Sequence, residues 1–171
     1  AYGLVERDEG TTAVIEVAQV VGITDADGMA VPVGQRSTRG VGELVRLLLD
    51  TGVRRFMVGL GGSSTNDGGS GMLAALGLAL TDAEGAAVAP TPSTLRAVGH
   101  VDARALDPRL AKCDLRIMSD VNNPLTGERG ATAIFGPQKG VRGDALAEFD
   151  AALARLAALA EAAVRRRVAQ Q

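Results

Sequence analysis

Val53 to Leu60 reads VRRFMVGL and opens directly into Gly61-Gly62-Ser63-Ser64-Thr65-Asn66-Asp67-Gly68-Gly69-Ser70-Gly71. A basic start and an apolar finish, bounded by turn residues, predict a strand. Met72 to Leu80 is apolar on nearly every side and predicts a buried helix leaving the loop. Strand, Gly-rich loop and helix in succession form the unit from which α/β sheets are built.

The pattern extends in both directions. Upstream, Val41, Leu44, Val45, Leu48 and Leu49 recur at helical spacing, and Thr51-Gly52 supplies the stop. Thr11 to Val17 (TTAVIEV) predicts a further strand, and Ala18 to Ile23 either extends it or begins a short helix. Asp25-Ala26-Asp27-Gly28 carries turn chemistry, and residues 29–39, with Pro32 and Gly34, read as an irregular crossing. Downstream, Leu95 to Val98 predicts a short strand, Asp107-Pro108 a turn, and Asp114 to Met118 a second buried strand.

Leu146, Phe149, Leu153, Leu156, Ala160 and Ala163 step by three and four along one stripe, which predicts a long helix. Asp144 suits its start and Arg165-Arg166-Arg167 its end, where the dipole favours cations. The stripe is either the helix's own core face or a surface that pairs between chains. Residues 81–113 break the βαβ rhythm. The expected fold is α/β, a mixed β-sheet with packed helices, forming a single domain over residues 1–171.

Composition narrows the function classes. Among 171 residues, 18 Lys and Arg face 20 Asp and Glu, a net charge of −2 that argues against a nucleic-acid partner. One Cys excludes an intrachain disulfide and points to the cytoplasm, and one His excludes the two-His zinc motifs. No apolar run approaches the roughly 18 residues of a membrane span. The start, AYGLVERD, lacks the pattern of a signal peptide and an initiator Met, so the chain is expected to be a piece of something longer. Gly occurs 22 times while aromatics are only 2%, so Val, Leu, Ile and Ala must build the core and the Gly-rich loops are free to hold a ligand.

Three segments can carry chemistry. In Gly59 to Gly71, backbone N–H groups at Gly61 and Gly62 can approach an anion, and Ser63, Ser64, Thr65 and Asn66 can donate to oxygen. Asp67 among them can polarise a hydroxyl or hold a metal ion; the alternative is a turn with hydroxyl caps. In Ser119 to Gly127, Asp120 follows a strand, where open α/β sheets hold ligands, beside the stiff turn Asn122-Asn123-Pro124. Here the alternative is an Asx-type turn. Phe135 to Gly140 presents one cation, Lys139. Arg39, after Ser37-Thr38 and before a helix, either binds a carboxylate or phosphate or belongs to simple N-capping. Neither a Walker loop nor a clean dinucleotide fingerprint occurs.

GLGGSSTNDGGSGMLAALG (59–77) and SDVNNPLTGERGATAIFGPQKG (119–140) resemble the two central signatures of bacterial type 1 glycerate kinases, and STRGVGEL (37–44) resembles the segment just upstream of them. The order and spacing agree. The family's N-terminal Asp-Ser-Phe-Lys and Gly-Gly-Glu-Gly motifs have no counterpart, Ala18 to Ile23 departs from its Ala/Ser-rich stretch, and Val41 replaces a usual Thr.

The resemblance implies the middle domain of a longer enzyme, inserted into a Rossmann-like domain with the active site between them. It implies transfer of the γ-phosphoryl of ATP, with Mg²⁺, to a hydroxyl of D-glycerate, giving the 2-phospho product in most members. Asp120, then Asp67, would take the hydroxyl proton, or either would hold Mg²⁺. Lys139 and Arg39 would steady the transferred group. Ser63, Ser64, Thr65 and Asn66 would orient the substrate. On this reading the 171 residues alone bind without turnover.

Overall fold

In the computed structural model, which describes residues 2–8 and 10–164, the chain opens on strand β1 (Tyr2–Val5) and turns back into β2 (Thr12–Glu16). Two short helices follow, α1 (Ala18–Val21) and α2 (Ala26–Ala30), before the longer α3 (Arg39–Asp50). Strand β3 (Arg55–Gly59) leads through the Gly-rich loop to α4 (Ser70–Ala75). A hairpin of β4 (Ala79–Thr81) and β5 (His100–Asp102) intervenes before β6 (Asp114–Met118). Helices α5 (Ala131–Lys139) and α6 (Ala145–Val164) complete the described chain. Arg165, Arg166 and Arg167 lie outside the described residues.

The main sheet has the order β1-β2-β3-β6. β2, β3 and β6 are parallel, with Ala13 level with Phe56 and Phe56 with Leu115, while β1 is antiparallel to β2. The expected mixed sheet with packed helices is therefore what forms. Period-two alternation buries Ala13 and Ile15 of β2 and Phe56 and Val58 of β3 against Val41, Val45, Leu48 and Leu49 of α3. A second core joins Leu78, Leu80, Leu95 and Val98 to Ala152, Leu153 and Leu156 of α6. The α6 stripe is thus the helix's own core face.

Four expectations are corrected. The helix expected over Met72 to Leu80 stops at Ala75, and Ala79–Thr81 is a strand. Gly77 sits at φ 106° against the carbonyl of Ala105, a left-handed position that a side chain could not share. Leu95–Ala97 is a 3₁₀ turn rather than a strand. The Thr94 hydroxyl donates to the carbonyl of Thr91 at 2.9 Å, and such local bonds divert backbone from sheet. Asp25 to Gly28 is not a bare turn but the approach to α2, with the Met29 amide donating to the Asp25 carbonyl at 2.8 Å. Finally, β6 is a strand but not a buried one. It is an edge whose Leu115 and Ile117 are 46% and 51% exposed.

Candidate functional site

The C-terminal ends of the parallel strands are tied level with one another. Val17 donates its amide to the carbonyl of Gly59 at 3.0 Å, and Leu60 donates to Met118 at 3.1 Å. From that rim the Gly-rich loop folds over the sheet and returns through left-handed Gly68 and Gly69 (φ 60° and 78°) into α4. A cleft of about 250 Å³ opens there, lined by Val17, Thr38, Val41, Leu60, Ser63, Thr65, Asn66, Asp67, Gly68, Gly69, Leu125, Ala131, Lys139 and Leu153.

Asp67 lies at the base of the loop, 1% exposed. Its Oδ2 accepts from the Thr38 amide at 2.7 Å, the Thr38 hydroxyl at 2.8 Å, the Gly71 amide at 3.2 Å and the Ser37 hydroxyl at 3.4 Å. Its Oδ1 accepts from the Gly69 amide at 3.1 Å. A buried carboxylate needs this many donors to offset desolvation. The set fastens the starts of α3 and α4 to the loop.

Lys139, the last residue of α5, folds its side chain back into the cleft. Its Nζ donates to Ser63 Oγ at 2.9 Å and to the Thr65 carbonyl at 2.7 Å. Burial pushes the Lys139 ammonium below the usual lysine range, and the Asp67 carboxylate pulls it partly back. At the other end of α5, Thr132 is fully buried and accepts from Asn66 Nδ2 at 3.0 Å. Both ends of one helix therefore grip the same loop.

The structure brings Ser63, Thr65, Asn66, Asp67 and Lys139 to one cleft. Ser64 is buried and its hydroxyl donates instead to the carbonyl of Val21 at 3.0 Å. Gly61 and Gly62 are exposed on the loop outside the cleft lining. Asp120 is exposed two residues beyond Met118 and, among the described residues, its carboxylate makes no hydrogen bond. Asn122 is exposed near it, and Asn123 donates to the Arg129 carbonyl at 2.9 Å, closing the turn. Arg39 pairs with Glu43 at 3.0 Å on an exposed face of α3. Sequence reasoning misses Thr38 and Thr132 because their partners lie 29 and 66 positions away.

One half-buried cation, a hydroxyl, a carboxamide and backbone amides around a small space suit an anion that also carries hydroxyls. Among the described residues no group of three or more His, Cys, Asp or Glu is arranged for a metal. Asp67 Oδ2 is crowded by donors, which disfavours a cation there. Asp120 offers a free carboxylate, and Mg²⁺ is commonly held by one or two carboxylates together with substrate phosphates.

Comparison with known proteins identifies what the chain is similar to. A model of the "Glycerate kinase family" matches residues 1–171. The chain is 44% identical over 161 residues to a glycerate kinase of Bacillus subtilis (strain 168), covering 91% of this chain and 41% of that one. It is 42% identical over 147 residues to a glycerate 2-kinase of Escherichia coli (strain K12), covering 83% and 37%. A solved structure from Salmonella typhimurium LT2, described as a glycerate kinase 2, superposes with a TM-score of 0.90 at 39% identity, covering 98% of this chain and 44% of that one. The chain spans about two fifths of the length of the curated relatives it matches.

Proposed function

The chain belongs to the glycerate kinase family, and from that premise we propose that the polypeptide carrying it moves the γ-phosphoryl of ATP to a hydroxyl of D-glycerate, giving the 2-phospho product. Residues 1–171 form one domain and one wall of the active site, and the further length that the relatives possess supplies the other. The observation that carries this reading is the half-buried ammonium of Lys139 held 2.9 Å from Ser63 Oγ at the ends of parallel strands. A cation fixed in a low-dielectric cleft stabilises the charge of a phosphoryl group in transfer far better than one in water.

The hydroxyl oxygen of glycerate attacks the γ-phosphorus, the bond to the β-phosphate bridging oxygen breaks, and ADP leaves. The hydroxyl proton passes to the Asp120 carboxylate, which stands free at the rim beside β3. Lys139 and Ser63 steady the transferred group, while Thr65 and Asn66 orient the substrate carboxylate and remaining hydroxyl. The exposed Gly61 and Gly62 amides and the guanidinium of Arg39 meet anionic oxygens that approach from the open side. Asp67 holds the loop in shape. Mg²⁺, when bound, would neutralise phosphate charge; Asp120 is the open carboxylate of this chain that would hold it, in a role exclusive of taking the proton, while Asn122 and Asn123 beside it face the substrate. A cytoplasmic setting supplies ATP and suits a chain with one thiol.

Glycerate-dependent release of ADP by the full-length gene product, with phosphorus NMR of the product, tests the proposal. Absence of release with D-glycerate, ATP and Mg²⁺ all present rejects it. The isolated 171 residues are expected to bind D-glycerate weakly in calorimetry without turnover, because they supply only one wall.

A further inference from the structure

Arg36 is 8% exposed, yet among the described residues it forms no ion pair. A buried guanidinium without a carboxylate is costly unless every donor is met. Here every nitrogen finds an acceptor, a backbone carbonyl or a thioether. Nε donates to the Val31 carbonyl at 2.7 Å, and Nη2 to the Met29 carbonyl at 2.8 Å. Nη1 donates to the Lys139 carbonyl at 2.8 Å, the Met29 thioether at 3.1 Å and the Ser64 carbonyl at 3.3 Å.

Two of these acceptors are the places that set the Lys139 ammonium. The carbonyl of Lys139 ends α5, where a cation is favoured by the helix dipole. The carbonyl of Ser64 lies between Ser63 and Thr65, the two residues that receive Lys139 Nζ. One nitrogen of Arg36 thus grips both the backbone that carries the lysine and the loop that receives its tip. The ring Arg36–Lys139–loop–Arg36 fixes the backbone at both ends of the lysine's reach.

We infer that Arg36 is a positioning residue for phosphoryl transfer, fixing the Lys139 ammonium against the Gly-rich loop without itself touching substrate; this rests on the kinase reading above. The 29–36 segment, irregular in sequence, then has a purpose: it delivers a guanidinium beneath the cleft.

The test uses the full-length gene product with Arg36→Met, which keeps an apolar stem and removes the donors, and Arg36→Lys, which keeps a charge and loses the fork. Two quantities are read: kcat and KM for D-glycerate, and the rate at which an acylating reagent modifies Lys139 relative to exposed Lys112, measured by mass spectrometry. In the unaltered protein Lys139 reacts more slowly than Lys112. In Arg36→Met that protection is lost, and kcat falls about a hundredfold, the cost of misplacing a group by about 1 Å, with KM little changed. Arg36→Lys lies between. Unchanged protection of Lys139 in both folded variants overturns the inference, whatever the activity. Loss of cooperative folding in both makes Arg36 a strut of the fold and overturns it too. An unaltered protein that modifies as expected but releases no ADP defeats the kinase reading instead.

Discussion

Thr38 and Asp67 are joined twice: the Thr38 amide and hydroxyl donate to the same carboxylate oxygen at 2.7 and 2.8 Å. The Thr38 hydroxyl also accepts the Met72 amide at 2.9 Å, so the pair binds the first turns of α3 and α4 into one corner. Replacing Asp67 by Asn turns an acceptor into a group that presents N–H to other N–H donors. The expected loss of stability is about 3 kcal/mol, read as a lower urea midpoint, because a buried charged acceptor is removed while its donors remain. A midpoint unchanged in Asp67→Asn contradicts the assignment of this carboxylate to the corner.

Asp120 is the opposite case. It is exposed and makes no hydrogen bond among the described residues, so Asp120→Asn is expected to leave the melting temperature where it was. Glycerate-dependent turnover of the full-length gene product should fall about a hundredfold or more, the usual contribution of a positioned acid or base. Turnover within a factor of a few of the unaltered protein removes Asp120 from the chemistry. The two aspartates, alike in sequence as candidates, are thereby separated by which assay each one moves.

Their difference marks what the chain discloses on its face. Local patterns declared themselves: the β-branched run of Thr11 to Val17, the basic start and apolar finish of Val53 to Leu60, the helical spacing of Val41 to Leu49, and the stripe of α6 each lie within one stretch of chain. The Gly-rich loop and Lys139 were legible as candidates, and the structure brings them to one cleft. What stayed hidden is non-local. Thr38 reaching Asp67, Thr132 reaching Asn66 and Arg36 reaching Lys139 across 103 positions depend on how helices cross, which no window of sequence encodes. Met72 to Leu80 misled for a related reason: its apolar run serves two elements, parted by the close approach of Gly77 to Ala105. Burial of β6 failed because a strand of apolar type is covered only if something packs on it, and here it is an edge.

Lys139 gives a pH dependence with a definite sign. Burial lowers its ammonium pKa below the ordinary 10.5, with Asp67 opposing. In the interval between the lowered value and 10.5 the unfolded chain holds the proton that the folded chain has released, so this group's contribution to stability rises with pH there. Turnover that needs the cation moves the other way and declines as pH climbs through the lowered value. Lys139→Arg, charged throughout, is expected to flatten that alkaline limb at reduced kcat, and Lys139→Met to lower kcat about a hundredfold. An alkaline limb that persists unchanged in Lys139→Arg assigns it to another group.

Gly71 tests whether glycine in the loop serves packing or ligand. A Cβ there would press on the Ser37 hydroxyl and come within 2.6 Å of the Arg39 amide and 2.9 Å of the Thr38 amide, and the two amides cannot yield without moving the start of α3. Gly71→Ala is therefore expected to cost about 2–3 kcal/mol in a urea melt, as overpacking of a tight site does. Gly61 has open space around its Cβ position and no left-handed φ, so Gly61→Ala should stay within about 0.5 kcal/mol of the unaltered chain. Should it nonetheless raise KM for ATP or D-glycerate, its backbone is where an anion approaches; equal losses of stability in both variants would mean the loop is one packed unit in which no glycine is reserved for substrate.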